Sequence, residues 1–425
     1  MRILLLICVG ALMVASCSRR TEEPQKLVSL QFLDRNGFSE TISTPDRLDR
    51  YKQANFLEPQ PYTKIVRLFQ RNKEGKTTSA ITSYHDNGQI WQYLEVANGR
   101  AKGLYKEWYP SGVVKIVAHL IEGIGDVAME CMDSWVFDEE STAYDEKGKL
   151  TAKFFYEKGD LSGKALFYYP DGNIRKTTPY VKNELHGDEI YYAEDGEKIG
   201  KFSYQHGLKH GKSTYQGCKK CQKFSEEYKQ GLLLSGVYYN FDGRVMSKIV
   251  EGHGLQTIYE EGRLGTQYEF KGGKREGKVY LYYPGETLQS EYSLKENVKH
   301  GEEWVYFENQ NIKQNALRPK ICFNWYEGKL QGRVKTWYPD GVLESEREMY
   351  NNKKSGPASA WYKNGSVMLI EEYENDILVK GLYMKKGEKS PVSTVENGEG
   401  VVTLYDQDGY FLKKINYHKG IPVED

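Results

Sequence analysis

From Gly88 to the end of the chain the sequence repeats itself about every 24 residues, and this period constrains the fold more than any single residue does. The clearest units run Gly163 to Gly172, Gly187 to Gly196, Gly332 to Gly341 and Gly356 to Gly365. Each opens with Gly, places an aromatic five residues on and reaches a second Gly nine residues on. The aromatic is Trp108, Tyr168, Tyr192, Phe241, Tyr282, Tyr306, Trp337, Trp361 or Tyr405, and a Tyr such as Tyr180, Tyr204, Tyr373 or Tyr417 often follows in the second half. A period of this length marks a repeat array, in which each unit packs on its neighbours and chain length is open-ended. Tyr is abundant at 34 and Gly at 42, which favours short strands and turns over helices.

The first residues read as an export signal. Arg2 is followed by an apolar run from Ile3 to Ala15, the length of a signal-peptide core and short for a membrane span of ~20 residues. The run ends in Val14-Ala15-Ser16-Cys17, which resembles the lipobox of bacterial lipoproteins. That resemblance implies cleavage before Cys17, acylation of Cys17, and anchoring without a spanning helix. Ser18 after the Cys favours, by the same resemblance, the outer membrane. The expected organisation is a signal peptide over 1–16, a lipidated tether over 17–26, an N-terminal element over 27–84 and the array over 85–425.

Within the N-terminal element, Asn36-Gly37 between two alternating runs predicts a hairpin, since both residues tolerate positive φ. Thr44-Pro45 predicts the start of a short helix, with Thr44 as cap and Leu48 and Tyr51 facing inward. Tyr62 to Gln70 and Thr77 to Tyr84 read as strands leading into the array. From there roughly fourteen turns can be counted, ten of them centred on Gly88, Gly112, Gly148, Gly172, Gly196, Gly243, Gly285, Gly341, Gly365 and Gly409. Degenerate turns fall near Gly217, Gly262, Gln310 and Gly387. Insertions fall at about 123–140 and 314–324.

The pattern Gly-x4-aromatic-x3-Gly with a Tyr-containing second half resembles the bacterial variant of the MORN repeat. The resemblance covers about Gly88 to Gly420 and implies an all-β fold: an elongated antiparallel β-hairpin array with aromatics laddered along the sheet. Several bacterial proteins with this repeat are antitoxins of the YwqK type, a cytosolic role at odds with the export signal.

Candidate chemistry is sparse. With Cys8 and Cys17 set aside, Cys131, Cys218, Cys221 and Cys322 remain, and four cysteines permit three pairings. Cys218-Lys-Lys-Cys221 falls where the register calls for a turn, so a local disulfide is the preferred reading; free thiols, half a zinc site and a redox pair also use this spacing. Gly211-Lys212-Ser213 resembles the end of a phosphate loop, but the register continues as a strand, whereas phosphate binding needs a helix N-terminus. His186, His210 and His300 each precede an opening Gly, a repeat position rather than a metal set, although neighbours could stack at adjacent turns. Asp and Glu are read as a solvated edge, with no acid/base pair. No catalytic residue, metal site or cofactor is assigned.

Charge is balanced, with 59 basic and 59 acidic residues and no one-signed tract, so nothing in it draws nucleic acid. The expectation is a non-enzymatic, lipid-anchored scaffold for a protein partner at the cell envelope, or else a binder of phospholipid or glycan. Contacts are expected where units depart from consensus, with Trp108, Trp337 and Trp361 as structural ladder members.

Overall fold

The computed structural model describes residues 26–217, 222–260, 262–308 and 317–423. Cys17, Cys218, Cys221 and the degenerate turn at Gln310 lie outside them. The described chain is nearly all antiparallel β hairpins, with a small N-terminal helical element, and it divides into two compact units, 1–172 and 173–425.

In the first unit, β1 (Lys26–Asp34) pairs with β2 (Ser39–Ile42) on one side and β3 (Thr63–Arg71) on the other. Only Gly37 of the connecting turn has positive φ, at 84°. The turn is fixed instead by Asp34 Oδ1, which accepts the N–H groups of Asn36 and Phe38 at 2.9 and 2.8 Å. A one-turn helix α1 (Pro45–Leu48) follows. Thr44 stands at its cap position, but its side chain makes no capping bond; its carbonyl accepts from Arg47 and Leu48 instead. Leu48 is buried with Leu30, Ile42, Val66 and Tyr84, and Tyr51 packs against this cluster. The meander then runs through β4 (Thr77–Tyr84), β5 (Ile90–Ala97), β6 (Arg100–Trp108), β7 (Val114–Glu122), β8 (Val136–Tyr144) and β9 (Leu150–Glu157).

The core position of the repeat is the second residue after each opening Gly. Tyr105, Ala165, Glu189, Ser213, Gln256, Val279, Glu303, Val334, Ala358 and Val402 all hold it, and all are buried. Their chemistry ranges from methyl to carboxylate, which is why no hydrophobic pattern marks the site. The aromatic five residues after the Gly is mostly half-buried, as at Trp108, Trp337 and Trp361. Phe241 is five residues past Gly236 but two off when counted from the turn: the turn closes from Gly243 N to Asn240 O at 3.1 Å, so Tyr239 ends the strand. A similar slip occurs at Gly285. Glu286, with φ 59°, takes the left-handed position that Gly holds elsewhere, at some conformational cost to a residue with a Cβ.

Three carboxylates depart from the expected solvated edge. Glu226, Glu189 and Glu303 are 3%, 7% and 8% exposed, and each is hydrogen-bonded or ion-paired. Opening glycines mark bulges where the facing side chain comes close. A Cβ on Gly103 would lie 2.2 Å from Glu95 Oε2, and one on Gly277 would lie 2.1 Å from Glu269 Oε2. Those carboxylates accept the next backbone N–H, Leu104 and Lys278 respectively, at 2.8 and 2.7 Å.

Both edges of the sheet are laced from repeat to repeat. Along one, the first residue of the turn reaches the next unit's backbone: Tyr283 Oη donates to Tyr306 O at 2.8 Å, Tyr338 Oη to Trp361 O at 2.8 Å and Tyr362 Oη to Met384 O at 2.7 Å. His85 Nε2 lies 2.9 Å from Trp108 O in the same role. Along the other, Gly207 N bonds Leu185 O and Gly231 N bonds Lys209 O, at 2.9 and 2.8 Å.

The second unit contains two places where the sheet rolls on itself. Leu233 N bonds Gly273 O at 3.1 Å, and Leu378 N bonds Gly420 O at 3.1 Å. Backbones meet there, since a Cβ on Gly252 or Gly398 would lie 2.5 Å from the N of Gly273 or Gly420. Each roll encloses a core, Tyr228, Leu233, Tyr238, Ile249 and Phe270 in one, and Tyr373, Leu378, Tyr383, Val395 and Val402 in the other.

Candidate functional cleft

The insertion expected at 123–140 occupies 123–135, and β8 resumes the repeat at Val136. The insertion is folded, not loose. Gly123 O accepts from Ala101 N at 3.0 Å, Trp135 Nε1 donates to Ile124 O at 3.0 Å, and a one-turn helix α2 spans Met129–Met132. Val127 and Trp135 are buried with Ile81, Leu94 and Tyr105, and the Trp135 ring meets Tyr105 edge-on at 4.9 Å. A departure from consensus thus also completes a core.

Between this insertion and the sheet lies a cleft of about 990 Å³. Its floor follows the cross-strand row Ile65, Ser83, Gln92 and Glu107, set by the register of β3 to β6. A polar chain crosses it: Ser83 Oγ to Gln92 Oε1 at 3.0 Å, Gln92 Nε2 to Tyr105 Oη at 3.3 Å, Tyr105 Oη to Glu107 Oε2 at 3.3 Å and Lys115 Nζ to Glu107 Oε1 at 2.7 Å. Burial first, and the Glu107 charge second, push the Tyr105 phenol pKa well up, so it stays a neutral donor. Arg67 ties floor to roof through Asp126 at 2.7 Å. Aromatic walls come from Trp91, stacked on His85 at 5.6 Å, and from Trp108 and Tyr109 at the end of β6. Ile124 and Met129, 49% and 77% exposed, line the roof.

The remaining candidates are scattered. Cys131 sits in the roof and Cys322 is buried in the strand Pro319–Tyr326 of the other unit; both are free thiols. Burial, then Asp126 and Glu130, raises the Cys131 pKa, and burial pushes the Cys322 thiol up to about 11. Such thiols are poor nucleophiles. Pro319–Tyr326 is an ordinary repeat strand paired with Gly301–Tyr306, so the 314–324 insertion does not extend through 319–324, and Phe307 N donates to Arg318 O at 2.9 Å beyond the last strand pair. His186 packs on His206 at 5.2 Å rather than on His210, which accepts from Gln230 N at 3.3 Å, while His300 packs on Tyr326 at 5.3 Å. Gly211 opens the strand Gly211–Tyr215. Among the described residues, no group of three or more His, Cys, Asp or Glu side chains is placed to hold a metal.

Residues 161–182 and 330–352 match the MORN repeat variant family. No curated protein matches the chain. Among solved structures, the Photorhabdus luminescens Tc holotoxin pore aligns at 12% identity over 93% of this chain and 24% of its own, with a TM-score of 0.13. A TcdB2-TccC3-TEV structure aligns at 11% identity over 88% of this chain and 24% of its own, also at 0.13. The chain thus spans about a quarter of the length of these proteins, and at that TM-score the likeness bears on neither fold nor function.

Proposed function

We propose that this chain is a non-enzymatic scaffold for protein–protein interaction at the bacterial cell envelope, held in the outer membrane by acyl groups on Cys17. Two MORN-variant segments support the scaffold, and the lipobox-like Val14-Ala15-Ser16-Cys17 supports the anchor. The single observation that carries binding is the cleft beneath the 123–135 insertion. Here Trp91, Ile124 and Met129 stay exposed beside a fixed polar floor and under a folded roof. A mostly pre-formed cleft of this kind is where a scaffold holds its ligand.

Crosslinking in intact cells that produce the full chain tests this. Capture of a partner by the wild type, and its loss in an Ile124→Asp, Met129→Asp variant with unchanged circular dichroism, is expected. Undiminished capture by the variant would move docking elsewhere. Separately, Cys17→Ala should release the chain from membranes in detergent partitioning; retention there would overturn the lipid anchor. One observation favours glycan recognition as a second reading: Trp91 and Trp108 line the cleft together with four carboxylates, and its cations Arg67 and Lys115 are paired with two of them.

A further inference from the structure

We infer that the cleft beneath the insertion is a subsite for a neutral saccharide unit; this rests on the reading of that cleft as the binding site. The first argument is charge. Arg67 is paired with Asp126 at 2.7 Å, Lys115 with Glu107 at 2.7 Å and Asp86 with Arg35 at 2.9 Å. Lys64 and Glu130, the two exposed charged residues that remain in the lining, are of opposite sign. Apart from exposed Lys64, a phosphate or carboxylate ligand would have to draw Arg67 or Lys115 from its carboxylate, and apart from exposed Glu130 and Asp86, a cationic ligand would have to draw a carboxylate from its cation. Neither exchange is favourable in a partly desolvated site. A ligand with hydroxyls and no charge needs no such exchange.

The second argument is shape and chemistry of the walls. A pyranose presents flat patches of C–H groups edged by hydroxyls, and an indole presents a flat apolar face with one N–H at its rim. Trp91 and Trp108 both line the cleft, and neither indole N–H has a hydrogen-bond partner among the described residues, as with Trp337 and Trp361 outside it and unlike Trp135, Trp304 and Trp325. Each is a donor left for a ligand. The floor supplies fixed groups of both kinds, since Gln92 and Glu107 are held by their own chain of bonds and an ionised carboxylate has lone pairs to spare.

The third argument is against an extended peptide. Peptides that dock on sheets draw much of their affinity from an open strand edge. Here β3 pairs with β1 and β4, β5 with β4 and β6, and β7 with β6 and β8, so the strands under the cleft offer no free edge. What they offer is side chains, and those match a saccharide.

The test is titration calorimetry on the full chain in a non-glycosidic detergent, using maltoheptaose, cellohexaose, chitotetraose and mannohexaose as neutral probes and alginate as the anionic control. At least one neutral probe should bind and alginate should not. Trp91→Ala should weaken binding about tenfold or more, with Trp91→Phe intermediate and circular dichroism unchanged for both. Binding that survives Trp91→Ala in the folded protein would overturn the site, and preferential alginate binding would overturn the ligand class. If no neutral probe binds at millimolar concentration while the roof variant still loses its crosslinked partner, the cleft holds protein and the saccharide inference fails alone. If neither probe binds nor partner is lost, the binding reading of the cleft fails with it.

Discussion

The phenol of Tyr383 donates to Oε1 of Glu371 at 2.8 Å, and Tyr373 donates to the other oxygen of the same carboxylate at 3.1 Å. The first roll repeats the arrangement: Tyr238 and Tyr228 donate to Glu226 at 2.7 and 2.9 Å, and Gln256 adds a third bond at 2.9 Å. A carboxylate clamped by two phenols thus sits in each rolled core. It lets the charge, buried at Glu226 and half-buried at Glu371, keep its hydrogen bonds while the rings supply apolar packing.

Removing the acceptor should therefore be costly. Glu226→Leu strands two phenols and an amide, and we expect a loss of about 2–4 kcal/mol in urea unfolding. Glu226→Gln keeps one acceptor oxygen and should cost about half as much. Equal losses for the two variants would mean that packing, not the clamp, sets the stability.

Alkali should unfold the array early. Burial, then Glu189, pushes Tyr191 up to about 12, and burial, then Glu344, does the same for Tyr338; the phenols in the two rolls are raised further for the same first reason, burial. These groups hold their protons more tightly folded than unfolded, where the value is 10.0. Stability is then complete below pH 10 and falls as pH rises through 10 towards about 12. Denaturant midpoints should be level from pH 7 to 9 and drop above 10, together with tyrosinate absorbance; a flat profile to pH 12 would contradict the burial of these phenols.

The interrepeat latch gives a second stability test, and one that separates neighbours. Tyr362 is fully buried and bonds Met384 O at 2.7 Å, whereas Trp361 beside it is half-buried. Tyr362→Ala should cost about 3–5 kcal/mol and exceed the cost of Trp361→Ala. Tyr362→Phe, which loses only the bond, should cost about 1–2 kcal/mol. The reverse order for the two alanine variants in thermal unfolding would restore the Trp as the main ladder member.

These contrasts show what a one-dimensional pattern carries. Strands and turns are local, so the period located them, and nine of the ten clear turn glycines have the expected positive φ; Gly285 yields to Glu286. Burial is not local. Whether Glu226 faces solvent or a core depends on the sheet rolling until Leu233 reaches Gly273, a contact that no window of the sequence contains. The insertion was visible as a break in period at about 123–140, but its end at 135 and the cleft under it depend on the fold, with Arg67 finding Asp126, 59 residues away. The one available signal was the opening Gly itself: counting two residues on from it finds the core, whatever residue stands there.

Gly381 and Gly236 provide the sharpest test of the rolled cores, because each is small for a reason other than its backbone. A Cβ built on Gly381 would lie 2.5 Å from Tyr383 Oη, and one on Gly236 2.6 Å from Tyr238 Oη. Each Tyr ring lies over the glycine two residues before it and reaches its carboxylate across the vacant space. A methyl group there must push the phenol aside, and the phenol cannot move without leaving Glu371 or Glu226. Gly381→Ala should thus lose both packing and the clamp bond, about 2–4 kcal/mol in all. In a Tyr383→Phe background the shortest contact is gone, and the ring, no longer tied to Glu371, is free to shift from the 2.8 and 2.9 Å contacts that its Cε2 and Cζ keep, so the added cost of Gly381→Ala should shrink by about 1 kcal/mol or more. Additive costs in this double-mutant cycle would show that the glycine serves the backbone and not the tyrosine.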